Sequence, residues 1–190
     1  MLSVMNAVDG IYEAQLGLSV EVYYTGVWYY PDPYDNPFTG QPAAGSGEVL
    51  YAFEQFWQIN VPTSSYGRHA AILFTGKSAG SGLASGIGMV CNPGDGYGFT
   101  SYAFINGNLI HGGFNYLVQA AAHELGHLLG ADHVFFEGCG SLSIMNGGPN
   151  GSTSFCSISI NQITSFLDAW GYPNRGSSPN QPICGLQEQY

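Results

Sequence analysis

The sequence predicts an α+β domain, with helices packed on one mixed, twisted β-sheet, and three observations lead there. Two helix-periodic segments and several β-rich runs precede a long helical stretch at 114–129, and loops and a last helix follow it. The 190 residues are enough for one domain with its own core. Apolar residues make up 45% and charged residues only 8%, which excludes a disordered polyelectrolyte.

Each element has its own warrant. From Leu2 to Leu16, apolar residues fall at 4, 5, 8, 11, 12 and 16, the spacing of one helix face. Leu18 to Tyr30 (LSVEVYYTGVWYY) is rich in β-branched and aromatic residues and reads as a strand. Pro31 to Gly47 holds four prolines and three glycines, the composition of a long surface loop. Glu48 to Ile59 reads as a second helix, with Ser46 placed to cap it.

His69 to Thr75 (HAAILFT) reads as a buried strand. Gly76 to Gly86 is rich in glycine and serine, GIGMVC at 86–91 reads as a short edge strand, and Tyr97 to Ile105 as another. Phe114 to Leu129 is the strongest helix, built on LVQAAAHELGHLLG. Gly138 to Phe155 is irregular, and the last helix spans Ile160 to Trp170, with Ser159 and Gln162 spaced as a capping box. Residues 1–172 then form the domain, and 173–190 a tail that Cys184 pins to it.

Charge and cysteine usage narrow the class. Thirteen carboxylates face only Arg68, Lys77 and Arg175, a formal charge of -10. That balance argues against binding nucleic-acid phosphates or anionic membranes. Cys91, Cys139, Cys156 and Cys184 are an even set without a CxxC pair, which favours disulfides and an oxidising, extracellular compartment. Four cysteines leave three pairings open. No run approaches the ~18 apolar residues of a membrane span. Nor does a basic segment with an apolar run open the chain, so the expectation is a mature secreted domain or a fragment of one.

Residues 123–133 read HELGHLLGADH. On a helix, His123 and His127 lie four apart on one face, so two imidazoles can converge on one metal ion. Gly130 suits a sharp end to the helix, and the turn brings His133 back as a third nitrogen ligand. Three protein ligands leave a zinc ion an open position for water, the mark of a catalytic site. Glu124 is not needed as a ligand and can act as general base on that water. Leu117, Ala121, Leu125 and Leu128 occupy the opposite face and bury the helix. The bland alternative, ordinary half-buried histidines, suits one lone histidine better than three at this spacing.

HELGHLLGADH matches HExxHxxGxxH, the zinc signature of the metzincin metallopeptidases, and Met145 in SIMN falls where that family has its methionine turn. Within the metzincins the chain most resembles the reprolysin (adamalysin) group. MNAVDGIYEAQLGLSVEVYYTGVWY resembles its first helix and following strand, AILFTG its next core strand, SGLASGIGMVCNP its edge strand, and FCSISINQITSFL its last helix. The similarity covers roughly residues 4–172.

The resemblance implies a metzincin-like (zincin) catalytic domain with an active-site helix, Met-turn and C-terminal helix. It implies one Zn2+ held by His123, His127 and His133, with Glu124 catalytic. It also implies a monomeric endopeptidase that binds an extended peptide along Ala84, Ser85, Gly86, Ile87, Gly88 and Met89. The pocket for the side chain after the scissile bond then lies between the helix and the segment after Met145. The group's disulfides imply Cys91–Cys184 and Cys139–Cys156, worth about 4–5 and 3 kcal/mol in chain-entropy models.

There are departures. Val134 stands where reprolysins usually have aspartate. His69 replaces an aspartate of the group's calcium site, so no calcium is expected, and His69 and His111 read as ordinary polar residues. The family's first central strand has no counterpart before the first helix, so either Met1 is a fragment boundary or another segment fills the sheet. Gly147 lacks the tyrosine that astacins and serralysins carry there, and neither Glu137 nor Glu188 suits a gluzincin's third ligand. Other readings are a different metzincin subfamily, an inactive metzincin-like binding module and a purely structural zinc site.

Overall fold

Fifteen residues with valine, tyrosine and leucine on one face open the chain as helix α1 (Leu2–Leu16), burying Val4, Val8, Tyr12 and Leu16. Gly17 ends it in the left-handed conformation (φ 65°), and the N–H groups of Gly17 and Leu18 return to the carbonyls of Glu13 and Tyr12. The computed structural model describes residues 1–27, 46–61, 68–76, 80–90, 92, 94–101, 104–105, 108–109, 113–134, 139, 142–148 and 150–170.

The strand expected at 18–30 is corrected: residues 18–27 form none, and 28–30 lie outside the described residues. Leu18 is buried and the N–H of Val20 donates to Asp9 Oδ1 at 2.6 Å, but residues 21–25 are exposed. β-rich composition makes a strand only where a neighbouring strand takes up the backbone groups.

Helix α2 (Ser46–Asn60) starts at Ser46, inside the helix rather than ahead of it, and buries Val49, Leu50, Phe53 and Trp57. The sheet comprises β1 (Ala71–Thr75), β2 (Gly82–Ala84) and β3 (Tyr97–Ser101), in the order β1-β3-β2. β1 runs parallel to β3, with Ala71 opposite Tyr97, and β2 runs antiparallel to β3, with Ala84 opposite Gly98. A separate antiparallel pair joins β4 (Phe104–Ile105) to β5 (Asn108–Leu109).

Period-two alternation gives the sheet two apolar faces. Ala71, Leu73, Tyr97 and Phe99 pack with the buried face of α2. Ile72, Phe74 and Ala84 face the larger core, built by α1, helix α3 (Phe114–Leu128) and helix α4 (Ser157–Ala169). The architecture is therefore α+β, a small mixed sheet with helices on both faces.

Two further expectations are corrected. An edge strand lies at 82–84, and residues 86–90 form none, Cys91 lying outside the described residues: the N–H groups of Gly88 and Val90 donate to the carbonyls of His127 and Leu128 at 2.9 and 3.0 Å. The last carbonyls of a helix lack partners within it, and here they recruit the segment after β2. The Ser159–Gln162 capping box does not form either. α4 begins at Ser157 with Cys156 at its cap, and Ser159 is buried inside the first turn.

Cys139 and Cys156 are joined by a disulfide, while Cys91 and Cys184 lie outside the described residues, as does the tail 173–190. Among the described residues no helix is long and apolar enough to cross a membrane.

Candidate active site

Helix α3 carries the site because its two faces differ. Val118, Ala121, Ala122, Leu125 and Leu128 sink into the larger core, and Tyr12 reaches from α1 to donate from its hydroxyl to Ala122 O at 2.8 Å. The other face presents Gln119, His123 and His127 at successive four-residue steps, with Ala120 and Glu124 alongside. Sheet and helix meet closely at two glycines. A Cβ on Gly82 would overlap Glu124 Oε1 and stand 2.7 Å from Phe99 O, and one on Gly98 would stand 3.5 Å from Glu124 Cβ.

The helix stops at Leu129. Gly130 takes φ 97°, its N–H donates to His127 O, and the N–H of Ala131 donates to Gly126 O, both at 2.9 Å. This paired closure reverses the chain and returns His133 to the helix. Asp132 Oδ1 accepts the His133 N–H at 2.7 Å, and the Asp132 N–H donates to Gln162 Oε1 of α4 at 3.2 Å. Gln162 thus steadies the ligand loop instead of capping α4.

The three imidazoles converge. Nε2 of His123 lies 3.0 Å from Nε2 of His127 and 3.1 Å from that of His133, and the third side of the triangle is 3.2 Å. His123 Nδ1–H donates to Ile144 O at 2.7 Å and His127 Nδ1–H to Ala131 O at 2.8 Å. These bonds fix the tautomer, so each Nε2 carries a lone pair. Burial, with His127 and His133 nearby, holds His123 down to about 4, and burial lowers His127 as well. Both rings are therefore neutral at pH 7, and their lone pairs meet with no proton between them.

That arrangement fits a metal. Zinc–nitrogen bonds of about 2.0–2.1 Å in a tetrahedral set place ligand nitrogens about 3.3–3.4 Å apart, close to this triangle. Among the described residues this is the one such group of histidine, cysteine and carboxylate side chains.

Beneath the triangle, Ile144 and Met145 tie the two ends of the motif together. Ile144 O holds His123, and Met145 O accepts the N–H of Val134, the residue after His133, at 3.0 Å. Met145 is fully buried and packs on Gly126, where an added Cβ would meet its Sδ at 2.6 Å. Val134, in the place of the usual aspartate, points into the core.

Glu124 is only 4% exposed, and burial pushes its carboxyl up to about 8. It borders a cleft of about 400 Å³ lined by β2, the segment after it, α3, the ligand loop and Asn146–Gly148. Of the residues expected to meet substrate, Ala84, Gly86 and Ile87 line this cleft, but Ser85, Gly88 and Met89 do not. Ser81, Gly82 and Gln119 line it as well and were not foreseen. The signal for Gln119 was present: a polar residue one turn before His123 in an otherwise apolar LVQAAA. His69 is pulled down by burial and stands apart from the cluster, and His111 lies outside the described residues.

At the edge of the sheet, the Ser101 N–H donates to Ser81 O and the Ser85 N–H to Tyr97 O. Alternation along an antiparallel ladder then turns the backbone groups of Gly82 and Ala84 toward the open edge, beside the cleft.

The profile of the family described as Metallo-peptidase family M12B Reprolysin-like matches residues 1–134, from α1 to just past the third histidine. A comparison with curated proteins gives no match.

Proposed function

The chain belongs to the reprolysin-like M12B metallopeptidases, and on that premise we propose that it is a secreted zinc endopeptidase with Glu124 as general base. The observation that carries this reading is the meeting of three imidazole nitrogens at 3.0–3.2 Å beside a buried carboxyl. His123, His127 and His133 would hold one zinc ion, with Met145 beneath them. Zinc bound there supplies a Lewis acid for the scissile carbonyl and lowers the pKa of water.

The protein's own groups do the rest. Burial alone keeps the Glu124 carboxyl protonated at pH 7, and a cation held by the histidines would favour the carboxylate. In that form Glu124 takes a proton from the attacking water and passes it to the leaving amine nitrogen. Gly82 and Ala84 offer N–H and C=O groups to an extended peptide lying antiparallel to β2. Of the longer stretch expected from sequence, Gly86 and Ile87 still line the cleft, while the N–H groups of Gly88 and Val90 are taken up by the end of α3. Residues 1–172 form the catalytic domain in this reading, and a Cys91–Cys184 bridge pins the tail.

The test is zinc content measured alongside hydrolysis of a quenched peptide library, with and without a chelator, for the wild type and Glu124→Gln. About one zinc per chain is expected, with chelator-sensitive cleavage. The Gln variant should lose roughly 10²–10⁴-fold in rate while keeping its metal. Folded wild type that binds zinc but cleaves nothing would sink the enzyme reading in favour of a binding module.

A further inference from the structure

We propose that Gln119 is a positioning residue that sets side-chain specificity, by closing the loop that forms one wall of the cleft. The proposal rests on the endopeptidase reading and deepens it. Gln119 stands one turn ahead of His123 on the same stripe of α3, and its side chain is 2% exposed. A buried amide is costly unless its hydrogen bonds are made, and here they all go to one short segment. Nε2 donates to Asn150 Oδ1 at 2.9 Å, while Oε1 accepts the N–H groups of Asn150 at 3.0 Å and Gly151 at 2.6 Å.

Asn150 extends the closure. Its Nδ2 donates to Ser143 O at 3.2 Å, and its Oδ1 also accepts the Ser152 N–H at 2.8 Å. Ser143 and Asn150 bracket the loop that carries Met145 and Asn146–Gly148, so this pair of amides draws the two ends of the loop onto α3.

The consequence for substrate follows from what lines the cleft. Gln119 and Ala120 form one wall, and Asn146, Gly147 and Gly148 face them. Two glycines bring no side chains with which to brace their own wall, so it hangs between Met145, packed on Gly126 of α3 at its near end, and the Gln119–Asn150 closure at its far end. In the endopeptidase reading that gap would take the substrate side chain that follows the scissile bond. Gln119 touches neither the histidine triangle nor Glu124 through these bonds, so its effect falls on fit rather than on proton transfer.

The experiment compares zinc-loaded wild type, Gln119→Met and Asn150→Ala on peptides varied at the position after the scissile bond, and measures amide exchange at residues 150 and 151. Methionine keeps the volume but deletes all three hydrogen bonds; should it fail to fold, Asn150→Ala loosens the closure by removing the Gln119 Nε2 and Ser143 O bonds while the two backbone N–H groups stay on Gln119 Oε1. In both variants the spread of kcat/KM across side chains at that position should shrink by at least about tenfold, the scale set by one methylene in an apolar pocket. Preferences before the scissile bond and zinc content should hold, and exchange at Gly151 should quicken in Gln119→Met. A uniform fall in rate with an unchanged preference profile would overturn the proposal, leaving Gln119 merely structural. Unaltered exchange in Gln119→Met would overturn the closure itself. A folded, zinc-loaded wild type that cleaves no peptide would instead remove the endopeptidase reading and the specificity role with it.

Discussion

Burial moves Glu124 and His123 in opposite directions, and their balance predicts how the stability of the metal-free protein depends on pH. The Glu124 carboxyl goes from 4.5 up to about 8, so the folded chain keeps a proton that the unfolded chain has released. Stability from this group is complete below pH 4.5 and is lost as pH rises through the folded value. His123 goes from 6.5 down to about 4, so the unfolded chain takes up a proton that the folded chain refuses. Its contribution is complete above pH 6.5 and is lost as pH falls.

Between pH 4.5 and 6.5 the two slopes, each about 1.4 kcal/mol per pH unit, oppose one another. Burial also lowers His127 and His69, and both join His123 below pH 6.5. Above 6.5 the histidines fall silent while Glu124 continues to about 8. Over those one and a half pH units the metal-free protein should lose about 2 kcal/mol. Urea unfolding in the presence of a chelator, at steps across that window, measures the loss. With m of about 1–3 kcal/mol/M, the midpoint should fall by roughly 1 M in the wild type and stay level in Glu124→Gln. Parallel losses in the two proteins would refute the reasoning, because the slope would then belong to another group.

Three other expectations follow from single contacts. Gly82→Ala places a methyl group against Glu124 Oε1 and Phe99 O; it should cost about 1–3 kcal/mol in thermal unfolding and depress hydrolysis more than zinc binding. Gln162→Leu removes the acceptor of the Asp132 N–H, and a chelator-competition titration should show zinc affinity lower by about tenfold, whereas unchanged affinity would deny α4 a part in placing His133. Tyr12→Phe deletes the buried bond to Ala122 O, and its expected signature is about 1–2 kcal/mol of lost stability with zinc content unaltered.

The metal motif was legible because ligands must stand at fixed intervals. Two histidines four apart share a helix face, and a glycine able to take φ 97° lets the third return. Helices α1 and α3 were legible for a related reason, since their apolar faces repeat over fifteen residues. The strands were not, because a strand is defined by its neighbour. GIGMVC has suitable residues, yet Gly88 and Val90 give their N–H groups to the end of α3. Likewise Ser159 and Gln162 have a capping spacing, but Ser159 is buried and Gln162 turns to Asp132.

What braces the site leaves a different kind of trace. His123 is held by Ile144 O, His127 by Ala131 O, and the chain beyond His133 by Met145 O. A carbonyl is common to every residue type, so nothing in the letters at 131, 144 or 145 announces these bonds. The braces show instead where side chains are excluded. Gly82 leaves room for the Glu124 carboxyl, Gly126 for Met145 Sδ, and Gly130 for Phe166 of α4, whose Cβ would stand 2.7 Å from an added methyl group. The groups that bind and react are written as residue types at set intervals. The scaffold that aims them is written as missing Cβ atoms, which become readable only once the sheet, the methionine turn and α4 are packed around the helix.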